Sequence, residues 1–163
     1  LTFPDVDLMV ANLTKIYVDG AWANLGGTQK TGLLVDWSIE IMTGLHPKFM
    51  ADGQRYFGQH GEGPIDVLAT FTFEGNSEAD SLWDAFRAGT QKAIRVETIG
   101  AQIGAGTNHS LVVDIFGEFA EVVPLASERD GNNLHTAIFH GVSDNQATPR
   151  MLAVKCTTDR NAV

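Results

Sequence analysis

FTFEGNSEADSLWDAFRAGTQKAIRV, residues Phe71 to Val96, decides the fold, because it reads in turn as strand, capped helix, glycine stop and strand. Phe71 and Phe73 alternate with Thr70, Thr72 and Glu74, the period of two of a strand with one buried face. Gly75 and Asn76 break that period. Ser77 followed three residues later by Asp80 has the pattern of a capping box with the shorter acid, and Glu78 and Asp80 place negative charge where the helix dipole favours it. Ala79, Leu82, Trp83 and Phe86 then fall at i, i+3, i+4 and i+7, one apolar stripe, while Glu78, Asp84 and Arg87 face water. Gly89 ends the run as a glycine just past a helix should. The spacing predicts a helix over about residues 77–88, a brace whose Leu82, Trp83 and Phe86 cover one side of a sheet. It is the one convincing helical pattern in the chain, and Ala93 to Thr98 alternates again as a strand.

Working outward towards the N-terminus, Ile65, Val67, Ala69, Phe71 and Phe73 alternate with Asp66, Leu68, Thr70, Thr72 and Glu74, which makes the strand before the helix a long one. Residues 44–64 carry five glycines and two prolines together with Phe49, Met50, Tyr56 and Phe57. That composition predicts a long loop, and most connections in compact domains are only about 4–6 residues. Before it, Val35, Trp37, Ile39 and Ile41 alternate with Asp36, Ser38, Glu40 and Met42, the cleanest strand pattern in the sequence. Leu13 to Val18 is rich in strand formers, and Asp19-Gly20 is a hairpin signal after which Ala21 to Ala23 is expected to run extended. Residues 1–12 read as an extended arm.

Towards the C-terminus, residues 100–108 read as a glycine-rich connection and Leu111 to Phe116 as a strand. Gly117 marks a bulge or bend before Glu118 to Pro124. Ser127 to Asn133 reads as a polar turn; Leu134 to Phe139 and Met151 to Thr158 read as strands, with a loose tail at 159–163. Many short strands and a single helix predict a mainly β fold, an antiparallel sandwich or barrel with one flanking α-helix. The 163 residues suit a single domain over 1–163, long enough to bury about two-thirds of its unfolded surface.

Composition narrows the function. A hydrophobic content of 44% with 19% charged residues is ordinary for a folded protein. The net charge of −9 argues against binding nucleic acid by phosphate neutralisation, which needs a basic surface. Neither a spanning helix nor a secretory signal is visible, and the chain opens on Leu1 in place of Met, as a processed or longer N-terminus would. The single Cys156 excludes an intrachain disulfide and a zinc quartet, and its expected role is a small buried hydrophobe.

Catalytic and cofactor motifs fail on inspection. His135 and His140 lie five apart on one strand, so they point to opposite faces and cannot share a metal; His46, His60 and His109 fall in loops without ligand spacing. The stretch from Gly58 to Gly63 lacks the Lys-Ser/Thr of a phosphate loop and leads into a strand, and Gly104 to Gly106 precedes no helix. No nucleophile elbow is present and Cys156 has no evident histidine partner. Asp36 and Glu40 are the one pair that a hydrolase could use, and solvated strand residues are far commoner than catalytic dyads. The expectation is therefore no enzyme, no cofactor and no metal. What remains is an acidic and small polar set on outward strand faces: Asp36, Ser38, Glu40, Asp66, Thr70, Thr72, Glu74, Asp114 and Glu118. Either a wet sheet face or a wall of one charge sign would give the same alternation.

Three pieces in this order resemble the tail tube (major tail) proteins of long-tailed bacteriophages, a fold similar to the tubes of contractile tails and type VI secretion. They are the strand Trp37 to Gly44 leading to Ala51-Asp-Gly53; the strand, helix and Arg-Ala-Gly exit from Phe71 to Gly89; and Ile94 to Val96 followed by Leu111 to Gly117, Asp130-Gly131 and Phe139 to Asp144. Together they span most of residues 33–158. The resemblance implies a structural virion protein that self-assembles into stacked hexameric rings, the tail tube through which the genome is delivered. Long strands of six subunits would close an inner barrel. On that reading Asp36, Ser38, Glu40, Asp66, Thr70 and Thr72 line an acidic, DNA-repelling lumen. Phe49, Tyr56 and Phe57 would contact neighbouring subunits or rings, the alternative being that they cover this domain's own core.

The implied partners are other copies of the chain and tail proteins such as the tape measure and terminator proteins, with double-stranded DNA passing through unbound and no membrane contact. The implied location is the virion tail, and the host cytoplasm during assembly. The competing reading is a monomeric β-sandwich module that binds carbohydrate or another ligand through Trp22 and the 44–64 loop.

Overall fold

The computed structural model describes residues 11–158 apart from 52, 54, 105 and 147; most of the expected N-terminal arm and the tail at 159–163 lie outside the described residues. Ten strands and one helix follow in order: β1 (Thr14–Asp19), β2 (Gln29–Lys30), β3 (Leu34–Met42), β4 (Leu45–Lys48), β5 (Gln59–Glu62), β6 (Asp66–Glu74), α1 (Ser77–Arg87), β7 (Lys92–Gly104), β8 (Thr107–Arg129), β9 (Asn132–Gly141) and β10 (Leu152–Thr157). Eight of the strands form one antiparallel sheet in the order β2-β1-β7-β8-β9-β6-β3, with β10 also paired to β8. The fold is mainly β and sandwich-like, and the sheet has open ends rather than closing into a barrel.

β8 joins the two layers. Its residues 107–117 pair with β7 and, over Ser110 to Ile115, with β10; residues 117–129 pair with β9. The changeover falls at Gly117, opposite Gly141 of β9. A Cβ on Gly117 would lie 1.9 Å from the His140 carbonyl oxygen, so only glycine lets the two backbones approach at this corner. The inward side chains of the halves form one cluster: Ile16, Val18, Ile94, Val96, Val113 and Ile115 from one, and Val67, Phe71, Phe73, Phe119, Ala137 and Phe139 from the other. Phe71 stacks on Phe73 with ring centroids 5.6 Å apart, and Phe119 meets Phe139 edge-on at 5.0 Å. Fully burying each such ring contributes about 2–3 kcal/mol.

α1 closes one side of this core. Its N-cap is Asn76, one residue before the Ser77 that the capping-box pattern points to: the Asn76 side-chain Oδ1 accepts from the Glu78 and Ala79 amides, and its Nδ2 donates to the Gly32 carbonyl. The amide reaches Gly32 because the loop before β3 passes beside the cap, a tertiary neighbour that local spacing does not reveal. Gly89 at φ 58° ends the helix with the paired bonds Gly89 N to Phe86 O and Thr90 N to Ala85 O, a Schellman stop. Ala79 and Leu82 are in the core, with Trp83 and Phe86 packed against it; Ala85 is buried as well.

Several segments depart from expectation for identifiable reasons. The supposed 44–64 loop contains the hairpin β4–β5, paired from Leu45 opposite Glu62 to Lys48 opposite Gln59; its strands hold too few apolar residues in alternation to announce themselves. Residues 100–108 do not interrupt the strands, since β7 and β8 stay paired to Gly104 opposite Thr107. The turn between β8 and β9 is only Asp130-Gly131, both at positive φ (54° and 88°), as a two-residue hairpin turn requires.

After Asp19 the chain does not resume extended at once. Trp22–Asn24 is a 3₁₀ turn, and β2 at Gln29–Lys30 supplies the returning strand. Buried Asp19 holds that loop, its Oδ2 accepting from the amides of Gly26 and Gly27 at 3.0 and 3.2 Å. Cys156 is exposed on β10, against the expectation of a buried thiol, because β10 pairs on one edge only and part of it faces solvent.

Candidate functional site

Four adjacent strands, β3, β6, β9 and the second half of β8, make a wall with one dry and one wet face. Along β6, Val67, Ala69, Phe71 and Phe73 are buried while Asp66, Leu68, Thr70, Thr72 and Glu74 point the other way. Register carries this face across the strands: Asp36 lies opposite Thr72, Ser38 opposite Thr70, and Glu40 opposite Leu68. Beyond β6, Thr72 meets Thr136, Thr70 meets Ile138 and Leu68 meets His140; these in turn meet Val123, Glu121 and Glu118 of β8. Directly opposed residues in an antiparallel ladder share a face, so Asp36, Ser38, Glu40, Asp66, Thr70 and Thr72, the six residues singled out from the sequence, lie together on one surface.

Two bulges make the faces consistent. In β3 the step from Leu34 to Asp36 is matched by a single step in β6, which takes Val35 out of the expected inward set and leaves Leu34, Trp37 and Ile39 against the core. In β8, Phe119 to Glu121 is matched by the single step Phe139 to Ile138, so Phe119 and Val122 are both buried although three apart. Without that bulge, strict alternation from Phe119 would turn Glu121 into the core.

The face is charged with one sign. Asp36, Glu40, Asp66, Glu118 and Glu121 lie on it, and none of the positions aligned from Asp36–Met42 of β3 across Asp66–Thr72 and Thr136–His140 to residues 118–123 of β8 is lysine or arginine; Arg129, opposite Asn132, lies beyond them at the tip of the β8–β9 hairpin. Among those aligned positions the group able to carry positive charge is His140, whose Nε2 sits 2.7 Å from Asp66 Oδ1 and which is charged only when protonated. Glu121 and His140 are missing from the sequence-derived set: Glu121 because the bulge hides its phase, His140 because alternation alone does not say which strand lies beside β6. Asp114, by contrast, does not belong to the wall. It lies in the other layer opposite Arg95, which holds it through Nε to Oδ1 at 2.7 Å and Nη2 to Oδ2 at 2.8 Å. Among the described residues no group of three or more His, Cys, Asp or Glu side chains is placed to hold a metal ion.

Both margins of the wall are open. Among the described residues β3 pairs with β6 alone, and residues 118–129 of β8 pair with β9 alone, so within them each margin presents unpaired backbone amides and carbonyls. The β4–β5 hairpin springs from the end of the wall where β3 finishes and β6 begins. Phe49, Tyr56 and Phe57 are exposed on it, at 71%, 82% and 58%, so they do not cover this chain's own core. Phe49 and Phe57 meet edge-on, with centroids 6.4 Å apart.

The competing readings find less. Trp22 lines an open cleft of about 550 Å³ with Phe116, Asp144, Gln146 and Arg150, but residues of the 44–64 segment are not among its described lining. The Arg150 guanidinium already lies 6.0 Å from the Trp22 ring centre. Asp36 and Glu40 lie on one face but four residues apart along a strand, about 13 Å at about 3.3 Å per residue, wider than the roughly 5–9.5 Å between the carboxylates of glycosidases.

No protein-family model matches the chain, and no curated protein matches it. Among solved structures it is similar to the SPP1 tail tube, determined by solid-state NMR and cryo-EM, with a TM-score of 0.58 and 11% sequence identity over 93% of this chain and 81% of that one. At that identity what is shared is the fold, and the fold of this chain is that of a phage tail tube protein.

Proposed function

We propose that this chain is the building block of a bacteriophage tail tube, a structural virion protein without catalysis. Copies join side by side into hexameric rings, the rings stack, and the wet face of β3, β6, β9 and β8 lines the lumen. The observation that carries this reading is the wall itself: one face of carboxylates with no lysine or arginine across the positions aligned from Asp36 of β3 to Val123 of β8, bounded by two strand edges unpaired among the described residues, in a tail-tube fold. Edge pairing between β3 of one copy and β8 of the next removes the edges that an isolated sheet would have to protect. A lumen of one negative sign repels phosphate and keeps a duplex sliding, whereas a basic lining would hold it. The exposed aromatics of the β4–β5 hairpin supply contacts to a neighbouring subunit. The tape measure and terminator proteins are the further partners of such a tube, and its places are the assembling host cytoplasm and the virion tail.

Negative-stain electron microscopy of purified protein tests the proposal: rings or tubes are expected, and a monodisperse monomer at high concentration contradicts it. In tubes, Glu40→Lys or Asp66→Lys is expected to leave assembly intact and to impair genome delivery, because both side chains are on an open face. Normal delivery by both variants sinks the lumen assignment.

A further inference from the structure

Leu125 is the outlier of the wall. It has a φ of 55°, a left-handed conformation that residues with a Cβ seldom adopt, and its side chain is 65% exposed. It sits where β8 leaves register with β9: Val123 lies opposite Thr136 and Ser127 opposite Leu134, so β8 spends four steps where β9 spends two. The bulge lifts Pro124 and Leu125 off the ladder. A strained backbone that presents a leucine to solvent gains nothing inside this chain, since Leu125 is not part of the core. Such strain persists where a partner uses it.

A second exposed apolar group lies at the opposite end of the same strands. Met42, Leu45 and Ile65 are 49%, 58% and 57% exposed where β3 ends and β6 begins, and the Gly63 amide donates to the Gly44 carbonyl at 2.8 Å to hold the two chain passes together. Through the register Ser127–Leu134–Glu74, Leu125 is level with the C-terminal end of β6, whereas Ile65 precedes its first residue. The separation is about 25 Å at about 3.3 Å per residue, so the two groups cannot meet within one copy. Both surfaces carry charges of either sign that can pair across a contact: Glu128, Arg129 and Asp130 at the tip beyond Leu125, and Lys48 and Glu62 on the hairpin, Glu62 opposite Leu45.

We propose that Leu125, raised on its bulge, docks against Met42, Leu45 and Ile65 of a second copy of this chain, and that this is the contact by which one ring stacks on the next. A head-to-tail contact between different patches repeats without closing, which is what a tube of any length needs. The inference rests on the tube reading and adds to it the surfaces that stack.

The test is a cross-link. In a Cys156→Ser background, Leu125→Cys is combined with Ile65→Cys, and the assembled protein is oxidised and run on a non-reducing gel. Disulfide bonding needs Cα atoms within about 7 Å, which rules out an intrachain bond across the wall. A ladder of covalent multimers that needs both substitutions and disappears on reduction is expected. Separately, Leu125→Asp is expected to fold normally, with an unchanged circular dichroism melt, and to shorten tubes about tenfold, the scale of losing one interface anchor. Rings or tubes visible by microscopy without cross-links, or Leu125→Asp tubes of unaltered length, overturn this contact while leaving the tube reading in place. Absence of any assembly by the unsubstituted protein overturns both.

Discussion

Arg95 and Asp114 show what a single side-chain pair does in the layer behind the wall. The two residues oppose each other across β7 and β8, and the fork of the guanidinium meets both carboxylate oxygens. The Asp114 hydrogen bond raises the Arg95 pKa above its ordinary value, with burial pulling the other way. Asp114→Asn is expected to cost about 2 kcal/mol in urea denaturation, less than the roughly 3–5 kcal/mol of breaking a fully buried pair because the Arg95 side chain keeps 29% of its exposure. Two residues along the same strand, Glu97 accepts from the Tyr17 hydroxyl at 3.2 Å, and burial first, then the Glu97 charge, push the phenol pKa up. A raised phenol pKa means that the folded state holds the proton longer. Its contribution to stability is full below the unfolded pKa of about 10 and is lost as pH rises through the folded value. Tyr17→Phe should therefore flatten the fall in urea midpoint between about pH 9 and about pH 11. In the sequence Asp114 is one more polar residue in an alternating strand. Only the register that sets it beside Arg95 turns it from a wet surface residue into half of an ion pair.

At the scale of elements, β8 is the piece that local reading divides wrongly and the helix the piece that it reads well. α1 carries its whole signal within a few residues: an asparagine cap, acidic residues in the first turn, an apolar stripe and a glycine stop. Those signals act over one or two helical turns, so they survive without knowledge of the fold; the cap falls at Asn76, one residue before Ser77, where its Oδ1 meets the Glu78 and Ala79 amides and its Nδ2 also reaches Gly32. β8 runs 23 residues through a glycine that in most strands would mark an end. Gly117→Ala is expected to destabilise by about 3 kcal/mol in thermal or urea melts, because the added Cβ meets the His140 backbone, which cannot rotate away as a side chain could. Gly20→Ala is the matched control. Its Cβ would have nothing within 4 Å, and its effect should stay within about 0.5 kcal/mol. The bulge between Phe119 and Glu121 was equally hidden, because an inserted residue leaves the composition of a strand unchanged while exchanging its faces.

At the scale of the whole molecule, many of the exposed apolar groups, Met42, Leu45, Phe49, Tyr56, Phe57 and Ile65 among them, lie on the β4–β5 hairpin and at the strand ends beside it. Replacing Phe49, Tyr56 and Phe57 together by serine should leave the melting of the folded chain within about 0.5 kcal/mol, since all three are exposed, yet reduce assembly seen by electron microscopy and sedimentation. If the substitutions unfold the protein instead, the hairpin belongs to its own fold and not to a contact between subunits. The negative charge works at the same scale. Dispersed along the sequence, the acidic residues form no dense cluster, and their concentration on one face arises from four strands brought side by side.

By itself the sequence determined the local conformations: period-two alternation for the strands, capped amphipathic spacing for the helix, and a polar turn within Ser127 to Asn133, realised at Asp130-Gly131. From these it gave away the mainly β class and, along β3 and β6, which residues face away from the core. The tertiary structure alone decided strand order, the two bulges, the corner at Gly117, the pairing of Arg95 with Asp114 and the membership of Glu121 and His140 in the acidic face. The reason is one of range. Steric and hydrogen-bonding preferences of a residue and its near neighbours are written in the local sequence, whereas neighbours across a sheet, such as His140 and Asp66, 74 residues apart, are chosen by packing of the whole core.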